Sequence, residues 1–249
     1  MVISVGLALL ITVLSYATLA SRFFAIISEE NGAEVGMYSV QALTMHSLTS
    51  SMALFAGISV VISTASFFKY RFYYNTYGVI RNRFKLFVAD AMVFCVIAFG
   101  AAVLILAGTD LFFNAKDGSW VFLTRDTSLL FGFLFVFDRI FFSLLFAFML
   151  THIFRRVSTV LVCAAGLQFF QSTAALMATG YVEGYTENGG PVVLEGIVSC
   201  IMAPSQAMLN YACEGIDGMT PVMVLATTSI PFVIIFIVAA LAAGRRIEV

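Results

Sequence analysis

An acid and a base, Asp138 and Arg139, stand side by side in the run FLFVFDRIFFSLLF (residues 133–146), which is otherwise aromatic and aliphatic apart from Ser143. Such a pair could hold an ion pair, relay a proton or grip a charged ligand. Other reactive side chains are few: four Cys, two His and one Trp in 249 residues. There is no CxxC and no HExxH, and His46 and His152 belong to different segments, so zinc, haem and iron–sulfur chemistry have no ligand set. A Ser–His hydrolase is equally poor, with His46 ahead of the second apolar run and His152 in a turn. Asp90 and Asp138 fall at unequal depths, which argues against a paired-aspartate intramembrane protease. No GxxxxGK[ST] occurs, so the chain is not expected to hydrolyse ATP.

The elements that must position Asp138 and Arg139 are membrane helices. Hydrophobic residues make up 61% of the chain and charged residues 11%, with a mean hydropathy of +1.01. A soluble domain carries about 25% charged residues, and this chain has too little polar surface to cover a water-soluble fold. A spanning helix needs roughly 20 apolar residues, and six runs qualify: 2–21, 48–68, 87–107, 128–150, 157–180 and 221–243. Their apolar character is continuous rather than alternating, so helices and not strands are expected. The fold class is an all-α integral membrane protein, one domain over 1–249.

Charge sorts the connections. Lys69, Arg71, Arg81, Arg83 and Lys85 follow the second run, Arg155 and Arg156 follow the fourth, and Arg245 and Arg246 follow the sixth. Together they are nine of the thirteen Lys and Arg. Most of the acids lie in the other connections. The positive-inside rule puts the basic set, and with it both termini, in the cytoplasm. The first run has no positive residue ahead of it, which argues against a cleaved signal peptide. Residues 181–220 are moderately apolar but broken by Pro191, Glu195, Pro204 and Asn210. A seventh span there would break the charge parity, so a re-entrant or outer helical pair is expected, since broken backbone survives where protein or a water-filled cavity covers it.

Within this frame Asp138 and Arg139 fall near the middle of the fourth span, where each costs about 2.5–3.5 kcal/mol on insertion scales. Helix neighbours point about 100° apart, so each is expected to want a further partner. The short turn at 151–157 makes spans four and five an antiparallel hairpin. Depth matching across it puts Arg139 near Gln168 and Asp138 within a turn of Gln171, with Ser172 on the same face. The resulting polar layer either locks two helices together or lines a path. Cys200 and Cys213 share the outer segment, where a disulfide is permitted; two free thiols are the alternative. Gly100, Ala101 and Ala102 suit close helix packing.

The loop FFKYRFYYNTYGVIRNRFKLFVADAMVF (67–94) interleaves five positive charges with aromatics around Gly78. It reads either as a basic belt on anionic lipid or as an amphipathic docking element for a cytoplasmic partner. The part from Tyr74 onward resembles the loop after the second span in type-2 ABC exporter permeases, on Gly78, Val79, Arg81 and Phe84. The order of elements is also similar to that family: third span, outer loop, hairpin with a basic turn, broken outer segment, last span. The resemblance implies a plasma-membrane permease subunit of an exporter of peptide, antibiotic or lipid. A separate cytoplasmic ABC ATPase would hold ATP-Mg, leaving no cofactor in this chain. It implies a coupling helix over 70–84, with Tyr77, Gly78, Arg81 and Phe84 at the contact and Arg155 and Arg156 beside it. It also implies a second permease, identical or related, with lipid and not nucleic acid as the surroundings. The alternative is a six-span substrate-binding or secondary transporter without that ATPase.

Overall fold

The structure, a computed structural model, describes residues 37–69, 83–117, 126–154, 158–160, 162–163, 166, 192–213, 215–216 and 218–245. Among the described residues there are six helices: α1 (Met37–Lys69), α2 (Arg83–Asp117), α3 (Asp126–Ile153), α4 (Val192–Met202), α5 (Pro204–Cys213) and α6 (Pro221–Arg245). Four contain stretches long and apolar enough to cross a membrane: Thr44–Ser66, Lys85–Leu111, Ser128–Ile153 and Pro221–Leu241. These coincide with the second, third, fourth and sixth expected spans. The first expected span and most of the fifth lie outside the described residues.

α3 is the axis of the bundle. Its apolar stretch is 67% buried, against 33% for α1 and α2 and 17% for α6. The run that carries the two charges supplies much of the core: Phe135, Val136, Ile140, Leu144 and Leu145 are all fully enclosed. Contacts along α3 fix the direction of each neighbour. His46 stacks with Phe135, and farther along Ser143 Oγ donates to the Ala53 carbonyl at 2.7 Å, so α1 runs parallel to α3. Gly57 permits that approach, because a Cβ there would sit 3.0 Å from Ser143 Oγ and 3.8 Å from Ala147 Cβ. α2 runs the other way, with Phe94 against Phe148 and Phe99 against Phe133. α6 runs parallel to α3: Phe232 stacks on Phe141, while Phe236 meets Phe87 at the end of α2 that also meets Phe148.

Proline and threonine set the ends of the broken segment. The last α4 bond is Ala203 N–H to the Ser199 carbonyl, and the first α5 bond is Ala207 N–H to the Ala203 carbonyl. Pro204 between them has no N–H and clashes with the preceding turn, so one apolar stretch becomes two helices. α6 begins with Pro221 at its first position, where a missing N–H is harmless. Thr220 caps it, its Oγ1 accepting from Met223 N–H at 3.4 Å. The α1 hydroxyls are satisfied locally: Thr49, Ser50, Ser59, Ser63 and Ser66 donate to carbonyls four residues back. That is how the least apolar of the four stretches keeps its hydroxyls from costing unmade hydrogen bonds. Large apolar side chains left uncovered on α2 (Val96, Leu104) and α6 (Val222, Val233) are what a lipid-facing surface requires.

Candidate functional site

α5 lies along the N-terminal half of α3 in the opposite direction. Ser205, in its first turn, reaches Arg139, with Nη1 donating to Ser205 Oγ at 3.5 Å. Tyr211, near its end, packs on Phe131 with ring centroids 4.5 Å apart. The other arm, α4, lies against α6. A Cβ on Gly218 would meet Val193, one on Gly196 would meet Met219, and the Cys200 thiol lies near the Thr227 side chain. Cys200 therefore sits below the start of α6, and α4 descends from the same end at which α6 begins.

These contacts set the depth of the bend. Arg139 lies eleven residues past Ser128, about 16 Å along the helix. α4 has 11 residues and α5 has 10, so each arm is also about 15–16 Å long. The hydrocarbon core is about 30 Å thick. The pair thus reaches the middle of α3 and returns: a helical hairpin wedged between α3 and α6 in one half of the bundle. In the other half those two helices touch directly through Phe141 and Phe232.

At the tip of the wedge is a buried polar cluster drawn from three elements. Asp138 and Arg139 of α3 are each 7% exposed and interact electrostatically. Ser205 of α5 is buried beside the guanidinium, and His46 of α1, stacked on Phe135 one turn before Arg139, lies within its electrostatic reach. Of the expected polar layer, Asp138 and Arg139 are buried in α3, and Gln168, Gln171 and Ser172 lie outside the described residues. The placement of His46 corrects the sequence reading. α1 begins at Met37 and its apolar stretch at Thr44, so His46 is inside a spanning stretch and not in a loop. The polar residues around it are satisfied within the helix, which lets the apolar register extend farther than hydropathy alone suggests. His152 likewise belongs to the last turn of α3, buried, with Nδ1 2.9 Å from the Phe148 carbonyl.

Neither Ser205 nor His46 was singled out as a partner from sequence. The available signal was Pro204: a proline that breaks an apolar segment exposes a helix start, and the polar residue after it is placed at that start.

Of the expected coupling contact, Tyr77, Gly78, Arg81, Arg155 and Arg156 lie outside the described residues. Phe84 falls in the first turn of α2, its side chain outside them. Cys200, half of the expected bridge, is a free and buried thiol. It lies one turn from the bend on α4, whereas Cys213 closes α5 about 14 Å beyond Pro204; bridged cysteines need Cα atoms within about 7 Å. The Cys213 side chain is outside the described residues. Asp90 is half-buried early in α2. No group of His, Cys, Asp and Glu that could hold a metal occurs among the described residues. No protein-family model, curated protein or solved structure matches the chain.

Proposed function

We propose that this chain is the membrane permease subunit of an ABC exporter, driven by a separate cytoplasmic ATPase. The observation that carries the reading is the half-depth hairpin α4–α5 placed directly before the last span, in a chain whose basic residues gather in three connections. That order of elements is the one in which the sequence resembles type-2 exporter permeases. Helix directions support six spans. Ile153 ends α3 at one face of the bundle and Val192 begins α4 at the other, as a fifth span between them requires. The first run, 2–21, completes an even number. With the basic connections in the cytoplasm, the hairpin enters from the outer face of a plasma membrane, and both termini are inside.

The substrate class in this reading is a peptide, antibiotic or lipid, and the translocation unit needs a second permease, identical or related. The basic aromatic loop supplies the ATPase contact through Tyr77, Gly78, Arg81 and Phe84. The test is co-purification: Arg81→Ala with Phe84→Ala should release a P-loop ATPase that accompanies the wild-type chain. Retained association together with retained transport would sink the assignment.

A second reading, a transporter without an ABC ATPase, is favoured by one observation. Polar groups from α1, α3 and α5 converge near half depth, as they do in carriers that bind substrate at the midplane. Transport that continues in proteoliposomes holding the chain alone, under an ion gradient and without ATP, would select it.

A further inference from the structure

Two prolines break the chain at one level of the bundle. Pro204 separates α4 from α5, and Pro231 stands inside α6. α4 and the first part of α6 run in the same direction, and Cys200 of one lies near Thr227 of the other. Each of these residues comes four positions before its proline, so the two breaks are in register. The segments ahead of the breaks also match in length: α4 has 11 residues, and Pro221 to Ile230 is ten.

The backbone ahead of Pro231 can bend at little cost. Proline has no N–H for the Thr227 carbonyl, and its ring crowds that turn. Thr227 Oγ1 donates to the Met223 carbonyl, Thr228 Oγ1 to that of Val224 and Ser229 Oγ to that of Ala226, each at 2.7 Å. Such side-chain bonds often bend helices, and a rotating hydroxyl keeps its carbonyl paired when the amide bond there stretches. Packing partners change at the same residue. Ahead of it, the turn residues Gly218 and Met219 meet Val193 and Gly196 of α4. After it, Phe232 stacks on Phe141 and Phe236 meets Phe87. The joint between α5 and that turn is Gly215, with φ 84° and nothing within 4 Å of a Cβ placed there. Leu194, Met202 and Val222 are exposed, so no neighbour among the described residues encloses the pair.

We propose that α4 and the N-terminal part of α6 form a two-helix arm that swings about Pro204 and Pro231. Gly215 lets the arm part from α5. The swing opens the bundle sideways to the bilayer down to the level of Phe141 and Phe232, which stay in contact. It gives an apolar substrate a lateral route. The movement needs no ATPase, so it stands apart from the permease reading. An arm of ten residues is about 15 Å long, and a rotation of about 20° carries its free end about 5 Å.

The test is double electron–electron resonance on the full-length chain in lipid nanodiscs, with its four native cysteines replaced by alanine. Nitroxides at Val222→Cys and Leu130→Cys report the arm against α3, and nitroxides at Leu241→Cys and Met92→Cys report the other end of α6 against α2. The first pair should show two distance populations about 5 Å apart, and the second pair one. Pro231→Ala restores the amide bond to the Thr227 carbonyl and should shrink the displaced population several-fold. Pro204→Ala should do the same, and if that variant does not fold, Pro231→Ala carries the comparison. A single population for the first pair, as narrow as that of the second, overturns the proposal. So does an equal spread in both pairs, which would mean general looseness. A displaced population unchanged by Pro231→Ala also overturns it, because the prolines would then not be the hinge.

Discussion

Gly218→Ala probes how the hairpin is anchored at its outer end. Gly218 holds a left-handed backbone, φ 73°, in the turn just before α6. An L residue pays about 1–2 kcal/mol for that conformation. A Cβ there would also lie 2.9 Å from Val193 Cγ2 at the start of α4, and relieving such overpacking costs about 1–3 kcal/mol more. The expected loss is therefore about 2–5 kcal/mol. Gly215 is an internal control, since its φ of 84° is similar but a Cβ there meets nothing within 4 Å. Gly215→Ala should show the backbone cost only, about 1–2 kcal/mol. Adding Val193→Ala to Gly218→Ala should recover the steric part and leave the Gly215→Ala background unaffected. Unfolding by sodium dodecyl sulfate in mixed micelles, followed by circular dichroism, gives the four differences. Equal losses at the two glycines, with no recovery from Val193→Ala, would refute the packing of α4 against this turn.

Phe131→Ala should cost about 3–5 kcal/mol, because the ring is 1% exposed and the site is closed around it. In a double-mutant cycle with Tyr211→Ala the pair should couple by about 0.5–1.5 kcal/mol, and strict additivity would place α5 elsewhere. Asp138→Ala should destabilise by about 3–5 kcal/mol by removing one member of a buried charge pair, and Asp138→Ala with Arg139→Met should regain part of that loss. A double variant less stable than Asp138→Ala would contradict the electrostatic link between the two residues.

The four described spanning helices were legible because hydrocarbon imposes one solution, an uninterrupted apolar helix of bilayer length, and composition alone reports it. The break at 203–204 was legible for a similarly local reason: proline cannot donate the bond that would continue the helix. Asp138 and Arg139 could be marked as a site because charge in an apolar run is costly wherever the helix goes.

Their neighbours were a different matter. Depth matching across the turn after α3 offers residues of the fifth expected span, which lie outside the described residues; among the described ones Arg139 reaches Ser205, sixty-six positions on, and has His46, ninety-three positions back, within electrostatic reach. Nothing periodic links them, since a re-entrant helix can stop at any depth and can lean on any span. The edges of α1 were also set by packing: a hydropathy window stops at its Ser, Thr and His residues, whereas the helix carries them inward by bonding hydroxyls to its own carbonyls. The sequence by itself determined an all-helical membrane chain, its apolar lengths, its sorted charges and the proline break. Only the tertiary structure decided that the hairpin wedges between α3 and α6, with its tip at the level of the one buried arginine among the described residues. The physical reason is that burial and chain length act locally, whereas partner choice depends on which helix faces meet.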